Sequence, residues 1–160
     1  MGNFSHFDES GASRMVDVGQ KPISRRVARA TAQIRMQPET LRLILDERLE
    51  KGDVLEVARL AGIQAAKRTG ELIPLCHPLA IDAVTLDFTS TDDRSITIQA
   101  VVSVEAKTGV EMESLTAVSV AALTIYDMCK SADRSMQIEQ IQLEEKSGGR
   151  SGTWQRENQL

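Results

Sequence analysis

The sequence predicts an α+β domain in which helices cover one face of a single antiparallel sheet. Three observations predict it. Apolar and polar side chains alternate with a two-residue period through 28–36, 84–88 and 96–104, the mark of strands with one buried face. Two other stretches, 54–68 and 111–130, follow helical spacing or are apolar over a helix's length. These strand and helix patterns interleave along 160 residues, a length sufficient for one core and not for several.

The elements follow in order. Residues 1–24 are broken by Gly2, Gly11, Gly19 and Pro22, show no period, and read as a flexible arm. The domain proper reads as 25–145. Ala28, Ala30, Ala32, Ile34 and Met36 then alternate with Arg29, Thr31, Gln33 and Arg35 as a strand. Pro38 ends it and opens a short helix through Leu41, Ile44 and Leu45. Lys51-Gly52 breaks that helix, and Asp53 is placed to cap the next, whose stripe is Val54, Val57, Ala58, Ala61 and Ala65. Gly70 marks its expected stop. The segment from Glu71 to Leu79 holds two prolines and many apolar residues without a period, so it predicts a loop packed against something rather than a solvated one. Val84-Leu86-Phe88 and Ile96 to Val104 form a hairpin around the turn Ser90–Arg94.

The helix from Glu111 to Lys130 is apolar at 11 of the 15 positions from Leu115 to Cys129, which demands cover on more than one side. Its own sheet supplies one, and a second subunit is the expected other. The run is too short for a membrane span and Asp127 interrupts it. A strand from Met136 to Leu143 and a Gly/Ser-rich tail, 146–160, finish the chain. With the first two helices counted as one layer element, the order is β-α-β-β-α-β, that of the ferredoxin-like sandwich.

Composition narrows the function. Nineteen basic against 23 acidic residues give a net charge of −4, the wrong sign for a nucleic-acid or membrane-surface binder. The same topology serves RNA recognition, but the strand from Ile96 to Val104 has no aromatic residue to stack a base. Cys76 and Cys129 are too few and too far apart for a disulfide scaffold or a zinc pair, and no secretory signal opens the chain. A cytoplasmic compartment is expected.

Candidate chemistry falls into four groups. Asp127 and Lys130 project from one helix face, as a solvated ion pair or as an acid/base pair. Glu111 and Glu113 sit in the first turn, where acids suit the helix dipole. Glu113 and Asp127 are roughly 21 Å apart along one helix, so a small-molecule site using both needs two subunits. His77 follows Cys76 between two prolines, and an imidazole can accept or donate a proton near neutral pH; a hydrogen-bonded structural histidine is the alternative. Lys21, Arg26, Lys51, Lys67, Lys146 and Arg150 are cations that could converge on a multiply charged anion.

Several of these segments are also distinctive as words. Met15-Val16-Asp17-Val18, Lys51-Gly52-Asp53-Val54, Ala61 to Thr69, Leu72 to Leu79, Thr108 to Glu113, Leu123 to Lys130 and Lys146 to Gly149 resemble the MoaC family, the cyclic pyranopterin monophosphate synthases. The likeness runs from about His6 to Gly152. It implies an enzyme (a phosphorus–oxygen lyase) of molybdenum-cofactor biosynthesis, acting on the GTP-derived 3′,8-cyclo-7,8-dihydroguanosine triphosphate. It also implies ferredoxin-like subunits in a homohexamer, a trimer of dimers, with sites at dimer interfaces. By position, the resemblance makes Asp127, Lys130 and Lys51 catalytic. It places Leu75, Cys76, His77, Glu111, Met112 and Glu113 against substrate, with Lys67, Arg26, Lys21 and Lys146 as the basic positions of the pocket. Arg150 stands where the family usually has lysine. No resident metal or cofactor is implied; Mg²⁺ would enter through the substrate's phosphates.

Overall fold

The alternation that predicts the first strand is realised in β1 (Ser24–Arg35), where Ala28, Ala30, Ala32 and Ile34 are buried and their sequence neighbours are not. The computed structural model describes residues 6–8, 10–46, 53–90 and 92–157. After β1 come α1 (Pro38–Leu45), α2 (Val54–Lys67), α3 (Thr69–Leu72), β2 (Ala83–Thr89) and β3 (Ser95–Ala106). The long helix α4 (Glu111–Cys129), β4 (Gln137–Ser147) and a two-residue β5 (Trp154–Gln155) complete the chain.

The sheet order is β2-β3-β1-β4-β5, every neighbouring pair antiparallel. The first four strands have the ferredoxin-like arrangement that the element order predicts, with β5 added at the β4 edge. β1 and β3 pair Ala28 with Val102, Ala30 with Ala100, Ala32 with Ile98 and Ile34 with Ile96. From Ala30 to Ile34 that row packs in one cluster with Ala117, Ala121, Ala122 and Ile125 of α4, all fully buried, while Ala28 and Val102 pack in a second cluster with Val104 and Val110. Alanines on both surfaces let the helix approach the sheet closely. The core is aliphatic, as five aromatic residues in the whole chain require; Phe88 and Tyr126 reach only its margin.

Three local features depart from the sequence pattern. The second side of α4 is covered by α2 of the same chain, so the all-round apolar helix does not by itself call for a second subunit. Gly62 makes the crossing possible, because a Cβ there would lie 3.0 Å from the Ala117 carbonyl oxygen and 2.5 Å from a Leu86 methyl. Gly70 does not stop a helix. The chain bends at Arg68 and Gly70 lies inside α3, where a Cβ would sit 3.1 Å from Pro78 Cα. Finally, β4 runs on past Leu143 to Ser147, because two bulges, at Gln140–Ile141 and at Glu144, break its alternation while it keeps pairing with β1.

Caps follow the expected chemistry. The Asp53 carboxylate accepts from the Glu56 N–H at 3.0 Å and starts α2. Pro38 opens α1, whose preceding N–H, that of Gln37, is satisfied from a distance by Asp133 at 2.9 Å. Burial works against that carboxylate's charge, but hydrogen bonds from Ser135, Gln37 and Thr40 outweigh it and hold its pKa below the usual aspartate range. The Lys51-Gly52 break lies outside the described residues. Among the described residues no helix is long and apolar enough to cross a membrane.

Candidate active site

One end of the sandwich gathers the start of β1, the ends of β3 and β4, the C-terminus of α2 and the N-terminus of α4. The apolar loop after α3 is held there by continued turns: the Ile73 N–H donates to Thr69 O at 2.9 Å and the Cys76 N–H to Ile73 O at 3.1 Å. Thr69 is itself buried and bonds Ala66 O at 3.0 Å. This fixes Leu75, Cys76 and His77 along one wall of a cavity of about 380 Å³. The first turn of α4 supplies the facing residues Glu111, Met112 and Glu113. The N-terminal arm adds His6, Val16, Val18 and Lys21.

Glu113 is the distinctive group. It is only 3% exposed, and its pKa is pushed up to about 7. Burial is the main cause; a hydrogen bond from its own backbone N–H partly offsets it, and the neighbouring Glu111 carboxylate adds to it. A carboxyl poised near neutrality can give up or take back a proton during turnover. Burial also pushes the Cys76 thiol up, and Glu113 adds to this, which disfavours its thiolate form. Glu113 also borders a second cavity of about 180 Å³, which includes Lys67.

Lys21 joins the first cavity to a third, of about 480 Å³, bounded also by Arg26 and Arg150. Arg26 is aimed by its Nε–H and Nη2–H, which donate to Ala106 O at 3.4 Å and Lys107 O at 3.2 Å. The tail passes so close that a Cβ on Gly149 would collide with the Arg26 guanidinium, and Gly148 and Gly149 have φ of +99° and +70°. Only glycine meets both demands without strain.

The bulge at Glu144 decides which face of the sheet Lys146 takes at this end. Leu143 pairs with Ala30 and Glu145 with Arg29, leaving Glu144 as an extra residue. Glu144 and Glu145 therefore both face the uncovered side of the sheet, bonded by Thr31 at 2.6 Å and Arg29 at 3.3 Å. Lys146 then stands opposite Ala28, on the helix-covered side, where its ammonium donates to Ser151 of the third cavity. Bulges beside sites commonly re-aim a side chain in this way.

Asp127 and Lys130 lie at the other end of α4. They form an ion pair at 2.6 Å, with side chains 68% and 54% exposed. The hydrogen bond that its ammonium donates to Asp127, then that carboxylate's charge, holds Lys130 above the usual lysine range. Within one chain the structure therefore brings together Leu75, Cys76, His77, Glu111, Met112, Glu113, Lys21, Lys67, Arg26 and Lys146, and it separates them from Asp127 and Lys130. Lys51 lies outside the described residues. Sequence reasoning passed over Val16, Val18 and the Thr108-Gly109 turn as lining residues. The available signal was that Met15 to Val18 forms a distinctive word inside an arm that otherwise has no period.

The MoaC family model matches residues 15–149. A "Cyclic pyranopterin monophosphate synthase" of Magnetococcus marinus is 60% identical over 160 residues, spanning 99% of this chain and 98% of that protein. "Cyclic pyranopterin monophosphate synthase 1" of Mycobacterium tuberculosis is 59% identical, covering 95% of this chain and 89% of its own. A Thermomicrobium roseum relative of the first name is 57% identical, over 99% and 96%. Likeness of this extent, at this identity, spans the arm, both walls of the cavity and the glycine turn: the chain belongs to the MoaC family, enzymes of molybdenum-cofactor biosynthesis.

Proposed function

We propose that this enzyme converts 3′,8-cyclo-7,8-dihydroguanosine triphosphate into cyclic pyranopterin monophosphate and pyrophosphate. The observation that carries this reading is the set of adjoining cavities at one end of the sheet. One is walled by proton-bearing groups and the next by cations, a pairing suited to a heterocycle attached to a triphosphate.

The roles follow from chemistry. The reaction opens the imidazole ring by hydrolysis, rebuilds a pyrazine and a pyran, and closes a cyclic phosphate on the sugar. It needs repeated proton transfers and charge neutralisation, with no change in overall redox state. Glu113 and His77 hold and protonate the ring. Lys21, Arg26, Lys67 and Lys146 grip the triphosphate and stabilise charge on the departing pyrophosphate oxygens. No resident metal is required, and Mg²⁺ would be held by those phosphates. Asp127 and Lys130 serve as the acid/base pair, with Lys51 as a further acid/base or electrostatic group.

Since Asp127 is a helix length from Glu113, the partner subunit's Asp127 and Lys130 complete each site. The assembly proposed is a hexamer, a trimer of dimers, working in the cytoplasm. The test is incubation of the purified protein with the cyclised GTP, following pyrophosphate and the pterin product. Product is expected from the wild type, with turnover lost in Asp127→Asn and in Lys51→Ala while the assembly stays intact. No product from the wild type, under conditions where a known family member works, refutes the proposal.

A further inference from the structure

The roles above leave one ring-bearing group of the cavity without an assignment. The chain has two histidines, 71 positions apart, and both wall the same 380 Å³ cavity. His77 belongs to the domain body, whereas His6 is delivered by the arm. Residues 6–14 of the arm close on themselves as a small hairpin. The Arg14 N–H donates to the His6 carbonyl at 2.8 Å, and Phe7 forms an antiparallel bridge with Ser13. The turn between them closes on the Asp8 carboxylate, which accepts from the Ser10 and Ala12 N–H groups at 2.9 and 3.0 Å. Further along, Lys107 Nζ donates to Gly19 O at 2.7 Å and ties the arm to the segment after β3. Between that hairpin and the tie at Gly19, Val16 and Val18 line the same cavity as His6.

The cavities divide the labour. His6 borders the one containing Glu113, Cys76 and His77, and is absent from the lining of the cation-walled cavity of Arg26 and Arg150. An imidazole placed there offers one N–H donor and one nitrogen acceptor, suited to the polar edge of a heterocycle more than to a phosphate chain already served by Lys21 and Arg26.

We infer that His6 is a substrate-contacting residue of this site, hydrogen-bonding the heterocyclic part of a guanine-derived nucleotide and fixing its position from the arm. The inference rests on the functional reading above, and the experiment separates the two. Kinetics with the cyclised GTP are measured for wild type, His6→Ala and His6→Gln, with melting temperatures. His6→Ala is expected to lose about tenfold in kcat/KM, the scale of one hydrogen bond, mainly through KM and with an unchanged melting temperature. His6→Gln, which keeps a donor and an acceptor, recovers most of it. In parallel, the two imidazole resonances are followed by NMR as GTP is added, and both are expected to move. Wild-type kcat/KM in His6→Ala, or a His77 signal that moves while that of His6 does not, overturns the inference and leaves the functional reading standing. No turnover by the wild type together with no shift of either histidine overturns the functional reading and the inference with it.

Discussion

Glu113 carries a cost that its position explains. An unfolded chain holds this carboxyl in water near its ordinary value of 4.5, and the folded one raises it to about 7. Between those two values the native state keeps a proton that the unfolded state has already lost. Stability therefore falls as pH rises through that window, by up to about 3 kcal/mol, and levels off above it. Glu113→Gln removes the slope. Urea unfolding at pH 5 and pH 8 is expected to show the wild type losing stability at the higher pH and the variant holding nearly constant, with much reduced turnover. Equal slopes in both proteins would assign the pH dependence elsewhere. The Glu-Met-Glu word marks the first turn of a helix in the sequence, and dipole chemistry accounts for it equally well. What sequence alone does not disclose is that Glu113 turns inward and Glu111 stays half-buried beside it, since that depends on where the fold sets the first turn of α4 against the cavity it shares with Leu75–His77.

The elements were legible in proportion to how much their pattern reflects one buried face. β1 and β3 alternate strictly because α4 covers one side of each, and their residues show it. β4 is less legible: its bulges at Gln140–Ile141 and Glu144 each add a residue and reverse the alternation, so Leu143 faces the helix side between them and the second bulge returns Lys146 to that side. The apolar surface of α4 shows in the sequence as a need for cover, but periodicity carries no information about which element supplies it. Gly62 holds the answer, as the point where α2 meets the backbone of α4. Gly62→Ala tests this. Helix propensity alone would make that change stabilising by about 1 kcal/mol, whereas the clash with Ala117 O and Leu86 is expected to make it destabilising by about 1–3 kcal/mol. Thermal unfolding of the variant gives the sign, and a raised melting temperature would show that the two helices have room to spare.

At the scale of the whole molecule, the domain separates its candidate chemistry by the length of α4. Cations and proton-bearing groups collect at the N-terminal end; the Asp127–Lys130 pair stands exposed at the other. The ten clustered residues were legible as a set through the family resemblance, whose words the fold brings to one end of the sheet from α2, the loop after α3, α4 and the two strands β1 and β4. Beyond Lys21 the arm's share, His6, Val16 and Val18, was not, because a segment without a period reveals its packing only when the surface beneath it is known. The two ends of α4 can act on one substrate only across a subunit boundary, and a closed two-fold dimer would produce two equivalent sites of that kind.

Mixing two defective proteins tests this most directly. His77→Ala impairs the cavity end and Asp127→Asn the opposite end, and each alone is expected to be nearly inactive. Co-expressed so that subunits pair at random, they are expected to restore about a quarter of wild-type kcat, because one in four sites then combines an intact cavity with an intact acid/base pair. Hybrids no more active than either parent would contradict a site shared between subunits.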